Sequence, residues 1–280
     1  MRIAITGASG FIGSRLAEEF RAQGHTVSAV RLRENPVLSP SDAVVHLAGE
    51  NLAQRWNLAA KREIRASRVD GTRRLVDAIA QSAERPSVLV SASAIGIYGN
   101  RGDELLTERS VPASGFLGEL CQAWEAAADE AAPLGVRVVK LRIGLVLGPH
   151  GGALARMIPA FKLGAGARLG SGKQWVSWIH IADLAGMVRF AIENPALAGA
   201  VNAVAPGPVR NTKFTRELAR ALRRPAFAVI PEFGLKLLFG EMSTVLLDSV
   251  RVTPEAALAA GFRFWYPDLA PALRAALAPE

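Results

Sequence analysis

Short apolar runs rich in valine and isoleucine alternate with longer amphipathic stretches through the first two-thirds of the chain. The runs at 3–6, 26–30, 43–47, 87–91 and 137–141 predict parallel strands buried on both faces. Between most of them the 3.6-residue apolar period predicts helices over 11–23, 60–81 and 117–132. Strands alternating with helices indicate an α/β, doubly wound parallel sheet. The link from the second to the third strand spans about ten residues, barely a parallel crossover, so little or no helix is expected there.

Beyond Gly148 the elements shorten and glycine and proline become frequent. Helices are expected at 154–163, 181–193, 212–222, 233–239 and 269–277, with strands at 174–179 and 200–203 and an apolar run at 226–230. The expected organisation is a dinucleotide-binding Rossmann domain over 1–150, to which 174–204 returns. Residues 151–173 and 205–280 would form a small C-terminal α/β substrate lobe over the carboxyl edge of the sheet. That tail has too few apolar residues to build a core alone.

Composition narrows the function classes. Half of the 280 residues are hydrophobic and 21% are charged, as in a packed globular protein. No apolar run reaches the ~20 residues of a membrane span. Arg2-Ile3-Ala4-Ile5 reads as a strand rather than a secretory leader. A single cysteine, Cys121, excludes an internal disulfide and suits a reducing compartment, so a cytoplasmic protein is expected. Cys121 lies in an apolar helix and reads as buried and inert. Four dispersed histidines carry no metal-ligand spacing, and no metal is expected. The net charge of +8 raises nucleic acid as a partner. The basic residues read as scattered among acids, as in Lys61-Arg62-Glu63 and Glu217-Leu218-Ala219-Arg220. The expectation is therefore no nucleic acid, and a ligand carrying phosphates suits the excess charge.

The strongest motif follows the first strand: Thr6-Gly7-Ala8-Ser9-Gly10-Phe11-Ile12-Gly13. Gly7 permits a tight turn, Gly10 lets backbone approach a pyrophosphate, and Gly13 allows close helix–strand packing. The helix opening at Phe11 aims free N–H groups at the phosphates, with Ser9 and Ile12 beside them. The second strand ends Val30-Arg31-Leu32-Arg33, where an NAD site would carry Asp or Glu. Arg31 and Arg33, on one side of an extended strand, either grip a ribose 2′-phosphate or are solvated edge arginines. The first reading makes the cofactor NADP(H) in preference to NAD(H). Leu47-Ala48-Gly49 ends the third strand in small residues that let backbone pass the adenine ribose.

These segments, together with Ile97-Tyr98-Gly99 and Trp178-Ile179-His180-Ile181-Ala182-Asp183-Leu184, resemble the extended short-chain dehydrogenase/reductase superfamily. More narrowly, 47–52, Trp124-Glu125-Ala126-Ala127, Gly151-Gly152, Gly170-Ser171-Gly172-Lys173-Gln174 and Tyr266-Pro267-Asp268-Leu269 resemble the atypical NAD(P)-dependent epimerase/dehydratase-like family of the YfcH type. The resemblance implies a Tyr-x-x-x-Lys pair with an upstream serine, at Ser93 or its rival Ser91. The pair is missing: Phe116 or Leu117 stands at the tyrosine position and Leu120 or Cys121 at the lysine. Glu63 and Arg68, five apart on the helix after the third strand, read either as cofactor contacts or as a solvated charged face. Val146 is implied to lie against the nicotinamide. His180 and Asp183 read as helix-start residues, and Trp175 and Trp178 as packing residues alternating on one strand.

Two functions follow. One is an NADP(H)-dependent epimerase-, dehydratase- or reductase-like enzyme on a small polar carbonyl or sugar-like substrate, protonation falling to Ser93 with a water or to the C-terminal lobe. The other is a non-catalytic NADP(H)-binding regulator or scaffold, which the missing pair favours. A homodimer is the superfamily's habit.

Overall fold

The computed structural model describes residues 1–32, 36–149 and 151–278. Six strands form one wholly parallel sheet: β1 (Arg2–Thr6), β2 (Thr26–Val30), β3 (Ala43–His46), β4 (Val88–Ala94), β5 (Arg137–Ile143) and β6 (Gly199–Ala203). Their spatial order is β6-β5-β4-β3-β1-β2, so the winding reverses between β1 and β3 and opens a crevice at their carboxyl ends. No helix occurs among the described residues linking β2 to β3.

The period of two along each strand divides the core. Ile3, Ile5, Ala43, Val45, Val88 and Val90 face α1 (Phe11–Ala22) and α5 (Ile181–Glu193), which present Leu16, Phe20, Leu184 and Val188. Ala4, Val44 and Leu89 face α2 (Leu58–Gln81) and α3 (Phe116–Asp129), through Leu75, Ile79 and Ala128. Continued toward the carboxyl ends, this second set becomes Thr6, His46, Ser91, Ser93 and Arg142. The alternation that fills the core thus lays a polar stratum under α2 and α3, and every member is buried.

Past β5 a second core gathers beside the sheet. Leu154 and Phe161 of α4 (Gly152–Lys162) join Trp178, Phe214 and Leu218 of α6 (Asn211–Ala221), and Leu269 and Leu273 of α8 (Leu269–Leu277). Between α6 and α8 lies α7 (Glu232–Phe239). Asp183, in the first turn of α5, accepts the backbone N–H groups of Trp265 at 2.7 Å and Tyr266 at 3.0 Å, which fastens the tail to the sheet layer. Burial raises its carboxyl pKa, and the two N–H bonds oppose that.

The expected strand over 174–179 is two strands. Trp175–Val176 pairs antiparallel with Val209–Arg210, and Trp178–His180 pairs parallel with Leu145–Leu147. Between them Ser177 donates to the Val250 carbonyl and accepts the Val252 N–H. The two tryptophans therefore have different surroundings. Trp178 is wholly buried, whereas Trp175 bonds Asp103 and stacks with Arg210 and Arg251. Among the described residues no helix is long and apolar enough to cross a membrane.

Candidate functional site

The glycine loop is built by close approach. Gly7 has φ +69°, and a Cβ there would sit 3.0 Å from Ala48 N and the Leu47 carbonyl carbon. The loop thus rests directly on 47–48. A Cβ on Gly13 would overlap the Gly7 carbonyl, so α1 can leave the loop at this angle only with glycine there. Gly10 N–H donates to Gly7 O at 2.9 Å. No side chain caps α1, which leaves first-turn N–H groups, those of Phe11 and Ile12 included, to serve an anion.

A cleft of about 510 Å³ opens beside this loop. Gly7, Ala8 and Ser9 form one wall, Arg31 and Leu32 at the end of β2 another, Ala48 and Gly49 a third, and Ser67 and Arg74 of α2 close it. Arg31 is exposed, whereas the Arg74 Nε is buried with no hydrogen-bond partner among the described residues. Arg33 lies outside the described residues. Sequence reasoning missed Ser67 and Arg74, although 67, 71 and 74 share one helix face, on which a Cβ at Gly71 would make ordinary contact with Leu32 at 3.7 Å.

Behind the cleft a hydrogen-bond chain holds the end of β3. Thr6 Oγ1 accepts the N–H groups of Leu47 (3.1 Å) and Ala48 (3.2 Å), so its own proton goes to His46 Nδ1 at 2.7 Å. His46 Nε2–H then donates to Thr72 Oγ1 at 2.9 Å, and Thr72 donates to Arg68 O at 2.5 Å. Burial, reinforced by the Arg68 charge, pushes the His46 pKa down to about 4, and the ring is neutral in this tautomer. The links among Thr6, His46, Leu47, Ala48 and Thr72 were not visible in the sequence, since they join residues 26 to 42 apart.

Arg68 is 8% exposed. Its guanidinium lies against Gly49, where a Cβ would come within 3.1 Å of Cζ, and over the Trp124 ring at 5.2 Å. Its one side-chain hydrogen bond among the described residues is to Ile64 O at 3.3 Å. Burial lowers its pKa, which the Cys121 and Glu50 groups partly oppose. Glu63 is exposed and does not line the cleft. Glu63 and Arg68, five residues and so roughly 140° apart around a helix, point to different sides of α2. Val146 is buried in the core that Phe11 and Ile12 join. The Phe11 ring lies on Gly148, Gly151 and Gly152: a Cβ on Gly148 would come within 2.7 Å of it and one on Gly151 would overlap it.

Ser93 is 3% exposed and donates to Glu125 Oε1 at 2.6 Å. Glu125 is gripped by Arg142, Nε to Oε1 at 2.8 Å and Nη2 to Oε2 at 2.9 Å. Arg142 Nη1 also donates to Tyr98 Oη at 2.9 Å, and Tyr98 donates to Asn202 Oδ1 at 2.7 Å. Burial works against the Arg142 charge, but the Glu125 bonds outweigh it and the pKa is raised. Ser93 therefore has its proton committed to a buried ion pair and keeps only lone pairs for any further partner. The start of α3 is apolar: Phe116 packs edge-on to Trp56 at 5.1 Å, and Leu117 lies over Gly96. Cys121 is buried, and burial pushes its thiol pKa up to about 12, so it is no nucleophile.

Comparison with known proteins covers most of these residues. The model of the NAD dependent epimerase/dehydratase family matches residues 3–204, and that of a domain of unknown function, DUF1731, matches 230–276. An Arabidopsis thaliana protein, the chloroplastic homolog of epimerase family protein SDR39U1, is 40% identical over 98% of this chain and 86% of its own. Epimerase family protein YfhF of Bacillus subtilis is 36% identical over 96% of this chain and 95% of its own. The crystal structure of human epimerase family protein SDR39U1 (isoform 2) with NADPH matches at a TM-score of 0.92 and 34% identity, covering 99% of both chains.

Proposed function

The chain belongs to the NAD dependent epimerase/dehydratase family, and from that premise we propose that it uses NADP(H) in an oxidoreductase or epimerase reaction on a small polar carbonyl or sugar-like molecule. The carrying observation is the cationic wall of the cleft: Arg31 at the end of β2 and Arg74 of α2 line it, and the one carboxylate among its described lining residues, Glu50, follows β3 rather than β2, where an NAD site carries its acid. The human relative solved with NADPH supports the same choice. The bound nicotinamide would supply hydride transfer.

This chain's residues would hold the dinucleotide along its length. The first-turn N–H groups of α1 take the pyrophosphate, Gly7 and 47–49 receive the adenosine, and Phe11 and Val146 form an apolar wall further along. Thr6, His46 and Thr72 position 47–49 without touching the ligand. Arg68, buried against Gly49 with no carboxylate partner among the described residues, adds positive charge behind the phosphates. Ser93 accepts a hydrogen bond from the substrate while Glu125 holds its proton. Residues 151–173 and 205–280 close the substrate side.

Calorimetry tests the cofactor. NADPH is expected to bind about tenfold more tightly than NADH, and Arg74→Ala or Arg31→Glu to remove most of that preference while NADH affinity stays put. Equal affinities in the unmodified chain would sink the NADP(H) assignment. Turnover is read from loss of NADPH absorbance with a panel of aldehydes, ketones and nucleotide sugars. Tight binding with no consumption across the panel would defeat the enzyme reading.

A further inference from the structure

The basic excess is not scattered. Residues 210–224 hold six basic side chains and one acid, Glu217, and so carry five of the protein's eight net positive charges. The expectation of dispersed arginines fails here because α6 and its C-terminal turn gather them in space. Arg216, Arg220, Arg223 and Arg224 line a cavity of about 630 Å³, and Arg168 faces them from the ribbon that Ala167–Leu169 makes with Ala228–Ile230. Among the described residues no acid lines this cavity, and it shares no described lining residue with the cleft beside Gly7. Glu217 engages Arg220 at 2.9 Å and Arg216 at 3.7 Å, whereas Arg223 and Arg224 meet no carboxylate among the described residues.

Two details mark a built site rather than a solvated face. Thr215 lines the cavity at 4% exposure, and its hydroxyl has no hydrogen-bond partner among the described residues. A buried polar group left in that state costs about 1–3 kcal/mol. Arg223 has φ +53° in the turn that closes α6, with Arg223 N–H on Arg220 O and Arg224 N–H on Ala219 O, both at 3.0 Å. Glycine is the ordinary residue at that position, and an L side chain there costs about 1–2 kcal/mol. Helix closure would be better served by glycine, so the guanidinium is retained against backbone preference.

We propose that this cavity is a second ligand site, for a small polyphosphorylated molecule of nucleotide size. Guanidinium forks match phosphate oxygens, the Thr215 hydroxyl donates to one of them, and the volume falls in the small-molecule range. Phe227, 90% exposed and lining the same cavity, offers a ring face for a base. Five guanidiniums around one space repel one another until an anion compensates them.

Calorimetry on the full chain, with and without NADPH, tests the site. ATP is expected to bind 1:1 in both conditions, tripolyphosphate to compete with it, and adenosine not to bind. R223G should cut ATP affinity about tenfold with Tm unchanged or higher, since glycine relieves the left-handed backbone. T215V should weaken ATP several-fold, and F227A should weaken ATP but not tripolyphosphate. The proposal is overturned by absence of ATP binding, or by ATP affinity unchanged in R223G and R224A. It is equally overturned by a loss confined to Arg31→Glu, which would place the nucleotide in the first cleft, or by an oligonucleotide bound more tightly than ATP.

Discussion

Ser93 shows how a single residue changes meaning between sequence and structure. As a strand-end serine it reads equally as a catalyst or as a structural hydroxyl, because its partner Glu125 lies 32 residues away on α3. The register of β4 turns 89, 91 and 93 toward α3, and the hydroxyl lands on the Glu125–Arg142 pair. Both charges are over nine-tenths buried. Removing one partner from such a pair leaves the other desolvated and unpaired, at about 3–5 kcal/mol. Glu125→Ala should therefore destabilise the fold by about that amount in urea unfolding, and the double change Glu125→Leu with Arg142→Met by much less. A loss under about 1 kcal/mol for Glu125→Ala would show the pair to be solvated. Arg68 was legible as a candidate cofactor contact, but its burial was not, because the polar–apolar pattern of α2 does not say which arginine turns inward.

At the scale of elements, the strand–loop–helix unit at the amino terminus was read nearly whole. Its glycine spacing is a local constraint, and local constraints are visible in a sequence. A Gly13→Ala methyl would meet the Gly7 carbonyl backbone, which has little freedom to yield. The expected outcome is about 1–3 kcal/mol of lost stability, together with loss of NADPH binding by fluorescence titration; full affinity would mean that the loop shape is not what binds. The partner of Phe11 was not legible. Gly151-Gly152 carry part of the resemblance, yet together with Gly148 their physical task is to leave room for the Phe11 ring. Gly151→Ala must displace that ring. NADPH affinity should drop several-fold while Tm moves by only a few degrees, and unchanged affinity would remove Phe11 from the cofactor wall. Conversely, 174–179 read as one strand because its apolar run is continuous, and nothing local announces that Ser177 spends its hydrogen bonds on 250–252.

For the whole molecule, the buried histidines tie stability to pH. His46 and His180 are both lowered to about 4, chiefly by burial, from an ordinary value near 6.5. Between those pH values the unfolded chain binds more protons than the folded one, so stability is complete above about 6.5 and declines as pH falls toward 4. His46 alone accounts for about 3 kcal/mol of that decline, and the raised Asp183 pulls the other way. Urea unfolding at pH 7 and pH 4.5 should show the decline, and His46→Asn should flatten it. A slope unchanged by that substitution would mean that the ring is protonated or solvent-accessible in the native state. Asp183 acts at the same scale. Asp183→Ala should free the segment around Trp265, seen as faster limited proteolysis there with the sheet amides still protected from exchange.

The sequence by itself determined the doubly wound sheet, the glycine loop and the absence of the Tyr-x-x-x-Lys pair. Each is written in short-range periodicity or in contiguous residues, where the physics of a strand or a turn acts within a few positions. Tertiary structure decided which polar residues are buried and with whom: His46 with Thr6 and Thr72, Ser93 with Glu125, and Arg74 in the cleft beside Arg31. It also gathered the arginines of α6 around one cavity. Those outcomes depend on strand order, register and helix rotation, which are settled only when all the layers pack together.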